Sequence, residues 1–252
     1  MNQTVPAPFV ILAASGALLV YHFDRAFLYS PEDALNAPQR LEWLNEHRWW
    51  VYSSTAVAAL LGIVSAFYLG WMWFIAAFVL GGIGILYSIR FLPKRRRPKD
   101  IGQFKSVLII ACWVGGGALV PLLVDLPEGV RWTTIALFAS YRISYILPNI
   151  LAADLLDRAG DRTEGIAGLG SAMSESALRT SSLLILALAL TLVWLLAGRG
   201  VNLILLSIDA MGVVGLVLTI LLTKKARPGH MAILDLWAGF PIATWAVSHF
   251  IV

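Results

Sequence analysis

The sequence predicts an all-α polytopic membrane bundle of about eight transmembrane helices. Three observations carry that prediction. Of the 252 residues, 59% are hydrophobic and only 13% are charged, against about 25% charged in an average soluble domain. Mean hydropathy is +0.77. Apolar stretches of about 20 residues recur, the length a helix needs to cross a hydrocarbon core about 30 Å thick. They are apolar all round, whereas β-barrel strands would alternate with period two. A soluble globular domain, a disordered chain and a fibrous chain are excluded by the same composition.

The spans are expected near 7–28, 49–69, 71–92, 106–125, 130–152, 179–197, 201–223 and 231–252. The first does not read as a cleaved signal peptide. No basic region precedes it, and it runs into Phe23-Asp24-Arg25 rather than a small-residue cleavage site. Trp49, Trp50, Trp71, Trp73 and Trp132 stand near span ends, where amphipathic rings suit the membrane interface. Glycines at 81, 82 and 84 in the third span, and 115, 116 and 117 in the fourth, permit close helix packing. The fifth span carries Arg142 and Pro148-Asn149, the seventh Asp209 and the eighth Asp235. Such intramembrane charges are costly and normally face an interior or a cavity. Asp209 and Asp235 read equally as an acceptor-cavity lining and as interhelical hydrogen-bond partners.

The longest loops, about 29–48, 93–105 and 153–178, fall on one side of the membrane. That side receives sixteen of the nineteen Lys and Arg residues. The positive-inside rule makes it cytoplasmic and places both termini on the opposite side. The expected location is a cell inner membrane. Eleven of the fifteen acidic residues share the cytoplasmic side, and the positive-inside rule gives them no reason to do so. The net charge of +4 therefore conceals a face rich in both signs. The chain reads as a single membrane domain, 1–252. Spans one and five both end in an acidic cluster, which suggests a four-helix pseudo-repeat, about 7–125 and 130–252. The lone Cys112 excludes a disulfide framework and a cysteine zinc site. The four histidines show no ligand-pair spacing. No nucleic-acid partner is implied, and the oligomeric state is unreadable.

The sharpest feature is the second acidic cluster, Asp154-Leu-Leu-Asp157-Arg-Ala-Gly160-Asp161-Arg162-Thr-Glu-Gly165. Spacings of three and four put Asp154, Asp157 and Asp161 on one face of a continuous helix. Carboxylates so placed repel one another, and a divalent cation relieves the repulsion. Oxygen ligands with open positions suit Mg²⁺ bridged to a phosphate-bearing substrate. The plainer reading is a solvated helix end with Arg158 and Arg162 as partners. The first cluster, Tyr21-His-Phe-Asp24-Arg25-Ala-Phe-Leu28-Tyr-Ser-Pro31-Glu32-Asp33, is weaker, and Pro31 is expected to break the helix before Glu32. It also reads as an ordinary charged helix terminus. The run Lys94-Arg95-Arg96-Arg97-Pro98-Lys99, followed by Lys105, reads as topological or lipid-contacting. It reads alternatively as a source of cations for a diphosphate, a role in which the arginine fork matches phosphate oxygens.

At this point the residues resemble a known family. The Asp154–Gly165 stretch is similar to the second aspartate motif of the UbiA-type intramembrane prenyltransferases, DxxDxxGDxxxGxxTL, with Gly168 where the family often has Thr. Tyr21-x-x-Asp24-Arg25 resembles a divergent first motif. Tyr87-Ser88 through Lys105 resembles the family's central region. Of the first motif, NDxxDxxxD, little more than Asp24 survives: Leu28 takes the next aspartate position and Glu32 the last. The family usually has nine helices, and span one here matches its second.

The resemblance implies a helical bundle with a central cavity, in which two acidic motifs hold Mg²⁺ and a prenyl diphosphate. Asp24, Asp154, Asp157 and Asp161 would be the catalytic metal ligands. Lys94, Lys105 and Arg162 would be diphosphate partners. Arg25 is a further candidate, and Arg142, from its place in the fifth span, reads either as a partner of a buried diphosphate or as the partner of an acidic residue on another helix. The activity implied is transfer of a prenyl group to a lipophilic, aromatic or other, acceptor. Two alternatives stand beside it. One is phosphoribosyl or other phospholipid-type transfer on a polyprenyl phosphate. The other is a non-catalytic UbiA-like lipid-binding or transport protein, for which a broken helix with polar residues at mid-membrane would be the sign.

Overall fold

The computed structural model describes residues 6–28, 33–93, 97–101, 103–124, 129–163, 165, 168–223 and 228–251. They are helical almost throughout. In chain order the helices are α1 (Ala7–His22), α2 (Asp33–Asn36), α3 (Pro38–Glu46), α4 (Arg48–Leu69), α5 (Trp71–Ser88), α6 (Phe104–Ile110), α7 (Val120–Val124), α8 (Trp132–Leu156), α9 (Arg158–Thr163), α10 (Glu175–Ala197), α11 (Leu203–Leu222), α12 (Pro228–Ala238) and α13 (Pro241–Ile251). Eight helical stretches are long and apolar enough to cross a membrane: Ala7–Phe27, Arg48–Leu69, Trp71–Ser88, Phe104–Val124, Trp132–Leu156, Glu175–Ala197, Leu203–Leu222 and His230–Ser248. The protein is thus an all-α integral membrane protein with eight apolar spans.

The differences from the expected spans have local causes. α1 passes into a π-helical turn, Phe23–Phe27, closed by Leu28 N–H donating to the Phe23 carbonyl at 3.0 Å. The fourth span joins α6 to α7 through a second π-helical stretch, Ala111–Leu119, which holds the three consecutive glycines. The third span stops at Ser88 because Ile89 turns to extended backbone. The fifth runs on through Pro148 to Leu156, as membrane helices tolerate an internal proline. The eighth is not continuous: α12 ends at Ala238 and α13 restarts at Pro241.

The chain divides into two compact units. One comprises Val5–Val120 with Asp157–Gly168. The other comprises Pro121–Leu156 with Leu169–Val252. In the first, α1 packs along α4, and α5 packs on both. Small residues allow this approach. Gly62 of α4 lies against Ser15 of α1, where an added Cβ would come within 3.3 Å of the serine Cβ. Gly70 alone links α4 to α5 at φ 109°, a region that favours glycine. Beneath α1, His22 Nδ1 and Thr55 Oγ1 share a hydrogen bond of 2.7 Å.

In the second unit, α8 and α11 form the centre and α10, α12 and α13 pack around them. About half of each central span is buried, 56% of the α8 window and 50% of the α11 window, more than in any other span. Tyr141, Leu196, Val213 and Leu216 are wholly buried there. Lipid tails are as apolar as leucine, so close packing and interhelical hydrogen bonds hold such a core. Gly212 and Gly215 of α11 give up side chains to admit Tyr145 and Trp237. Asn202 caps α11 by accepting from Ile204 N–H at 2.9 Å and Leu205 N–H at 3.2 Å, and Ser174 caps α10. Outward side chains such as Phe78, Trp194 and Leu222 are exposed and apolar, a surface suited to lipid.

Candidate functional site

Asp24 lies on the π turn at the end of α1. A π turn inserts an extra residue per turn and re-aims the side chains that follow. Here it turns Asp24 inward, where it is buried. Its Oδ1 accepts from Ser88 Oγ at the end of α5 and from Lys99 Nζ, each at 2.5 Å. Its Oδ2 faces Arg25 Nε at 3.2 Å. Lys99 is itself buried and lies 6.0 Å from the centre of the Tyr87 ring. It sits on a 3₁₀ turn, Pro98–Asp100. That turn is pinned by Arg97, whose backbone N–H, Nε and Nη2 all meet the Asp100 carboxylate at 2.8 Å.

The second motif is divided. α8 ends at Leu156 and α9 begins at Arg158, so the helix is interrupted at Asp157. Asp154 is buried at the end of α8 and accepts from Gly170 N–H at 3.3 Å. It belongs to the second unit, whereas Asp157 and Asp161 belong to the first. Lys105 Nζ donates to Asp161 Oδ2 at 2.9 Å, with both side chains buried or nearly so. Asp161 N–H bonds the Asp157 carbonyl at 3.0 Å. Gly160 N–H donates to Asn36 Oδ1 of α2 at 2.8 Å, tying α9 into the first unit. Arg162 is exposed on α9.

Arg142 goes elsewhere. In the second unit its Nη1 pairs with Asp209 Oδ2 of α11 at 2.8 Å. The same oxygen accepts from Tyr141 Oη at 2.7 Å, and Oδ1 from Thr244 Oγ1 at 3.3 Å. The rings of Phe138, Tyr141 and Tyr145 surround the guanidinium at 5.0, 5.4 and 5.7 Å. Asn149 donates to Asp235 at 3.4 Å. Asp209 and Asp235 therefore act as interhelical hydrogen-bond partners.

The first unit thus contains Asp24, Arg25, Lys105, Asp157, Asp161 and Arg162. Lys94, Glu32 and the Asp33 side chain lie outside the described residues. Residues not singled out from sequence are Ser88, Lys99 and Asn36. Lys99 was one cation in a basic run; only its flanking Pro98 and Asp100 mark it as the residue of an ordered turn.

The donor set does not make a ready metal centre. Among the described residues, no three His, Cys, Asp or Glu side chains converge to hold an ion. Asp24 has both oxygens committed to cations, and Asp161 holds a lysine.

No protein-family profile matches the chain, and no curated protein matches it. A solved structure does: the apo form of a UbiA homologue from Aeropyrum pernix K1. It superposes with a TM-score of 0.58 at 11% identity, over 98% of this chain and 89% of that one. The chain has the UbiA-type fold.

Proposed function

We propose that the protein is a prenyltransferase that moves a prenyl group from a prenyl diphosphate to a lipophilic, aromatic acceptor. The reading is supported by one observation: residues of both acidic motifs, each with an ordered lysine paired to it, belong to the first unit of a chain with the UbiA-type fold. Breaking the allylic C–O bond loads negative charge onto the leaving diphosphate. Preorganised cations stabilise that charge most where water is excluded. Lys105, Arg25 and Arg162 are the side chains for this role; Asp161 holds Lys105 and Asp24 holds Arg25. The allylic carbon gains cationic character, and the acceptor attacks it and gives up a proton. In this reading the charged loops are cytoplasmic and the prenyl chain lies among the apolar spans.

The test is turnover of labelled prenyl diphosphate by the full chain in membranes. Asp157→Asn and Lys105→Gln are each expected to lower turnover by about 100-fold or more, the scale of losing one preorganised charge partner. Unchanged turnover in both refutes the site.

A second reading, binding or transport without chemistry, is favoured by the interrupted eighth span. Polar residues at a broken span mark many transport sites, and Thr244 beyond the break bonds Asp209. Under that reading the prenyl diphosphate is bound and recovered intact.

A further inference from the structure

We propose that the Asp24 pocket takes no divalent metal, because Lys99 fills that place as a fixed side-chain cation. Both carboxylate oxygens are already committed. Oδ1 holds Lys99 Nζ and Ser88 Oγ, and Oδ2 holds Arg25 Nε. The neighbouring charges point the same way: two cations, Lys99 and Arg25, already lie on this one carboxylate. A hard divalent ion needs several oxygen ligands and negative charge. Leu28 stands where a further carboxylate of the first motif is expected.

Lys99 is not a loose surface side chain that an arriving ion would push aside. It is 3% exposed and stands on a turn clamped by Arg97 and Asp100. Its ammonium is held by a carboxylate from one segment and lies near the ring of Tyr87 in another. Stripping a buried, paired cation from its partner is strongly unfavourable. Lys105 and Asp161 repeat the device in the same unit. Metal exclusion stands on this geometry alone. The purpose of the fixed Lys99 cation, to favour a diphosphate, rests on the function proposed above.

The test has two arms, both on the full chain in detergent. In the first, Mn²⁺ alone is titrated and its binding read by electron paramagnetic resonance. Wild type, Asp24→Asn and the charge-balanced Asp24→Asn/Lys99→Gln are expected to give superimposable titrations. The double variant serves if the single one fails to fold. A wild-type Mn²⁺ site that disappears in either variant overturns metal exclusion. In the second, geranylgeranyl diphosphate binding is measured in EDTA. It is expected to be saturable, and at least tenfold weaker in Lys99→Gln. Equal affinity in the two proteins, or binding seen only after Mg²⁺ is added, overturns the compensating role of Lys99. No binding under either condition overturns the proposed function, and the Mn²⁺ arm still decides the metal question.

Discussion

Arg142→Met should destabilise the second unit strongly, and Asp209→Leu at least as much. In the wild type Asp209 is 2% exposed and holds three donors, from Arg142, Tyr141 and Thr244. Removing one member of a buried pair costs about 3–5 kcal/mol, because it strands the other charge. The two remaining hydroxyl donors offset part of that. Interhelical hydrogen bonds in a membrane average about 0.6 kcal/mol and reach about 1.7. A loss of about 2–4 kcal/mol is expected. Asp209→Leu strands Arg142 together with both hydroxyl donors, and the guanidinium keeps three aromatic faces, each contact worth about 0.5–2 kcal/mol. The double variant removes both charges. Its cost is dominated by the orphaned Tyr141 hydroxyl, about 1–3 kcal/mol. The assay is reversible unfolding in mixed micelles across the four proteins of a double-mutant cycle. A coupling of about 2 kcal/mol or more is expected. Single effects that add within about 0.5 kcal/mol would refute the argument that this pair is a buried, interdependent unit.

Three further outcomes follow from the packing. Gly212→Val should cost about 1–3 kcal/mol by overpacking, since a side chain there strikes the Tyr145 hydroxyl that donates to Trp237 O at 2.7 Å; unfolding in micelles reads it. Gly70→Ala forces a side chain onto φ 109° and should cost about 1–3 kcal/mol, read the same way. Asn36→Ala removes the acceptor of Gly160 N–H, worth about 0.5–1.5 kcal/mol. Hydrogen exchange at that amide should accelerate by about two- to tenfold while amides of α11 stay protected.

The eight spans were legible because span length and all-round apolarity depend on local composition alone. Their ends were less so. Ser88 ends a span because the backbone turns extended, and nothing in Tyr87-Ser88-Ile89 announces it. The break at Gly239-Phe240 was hidden by unbroken apolarity, although Pro241 stands at the restart. At the site, the residue types were readable and their partners were not. The three-and-four spacing of Asp154, Asp157 and Asp161 assumes one continuous helix, and the interruption at Asp157 sends Asp154 and Asp161 into different units. Arg142 was visible as a charge in the fifth span, but its partner is 67 residues away on α11. Asp24 pairs with Lys99 across 75 residues. Such pairings depend on tertiary placement, which periodicity does not encode.

The decisive measurement is the stoichiometry of prenyl transfer by the purified chain in lipid nanodiscs. Labelled prenyl diphosphate is supplied with a lipid extract as the source of acceptor. Inorganic pyrophosphate and labelled lipid product are quantified together. The proposed function predicts one pyrophosphate per prenylated product, with both falling about 100-fold or more in Asp157→Asn. Prenyl diphosphate that binds and is recovered intact, with no pyrophosphate released, would contradict it.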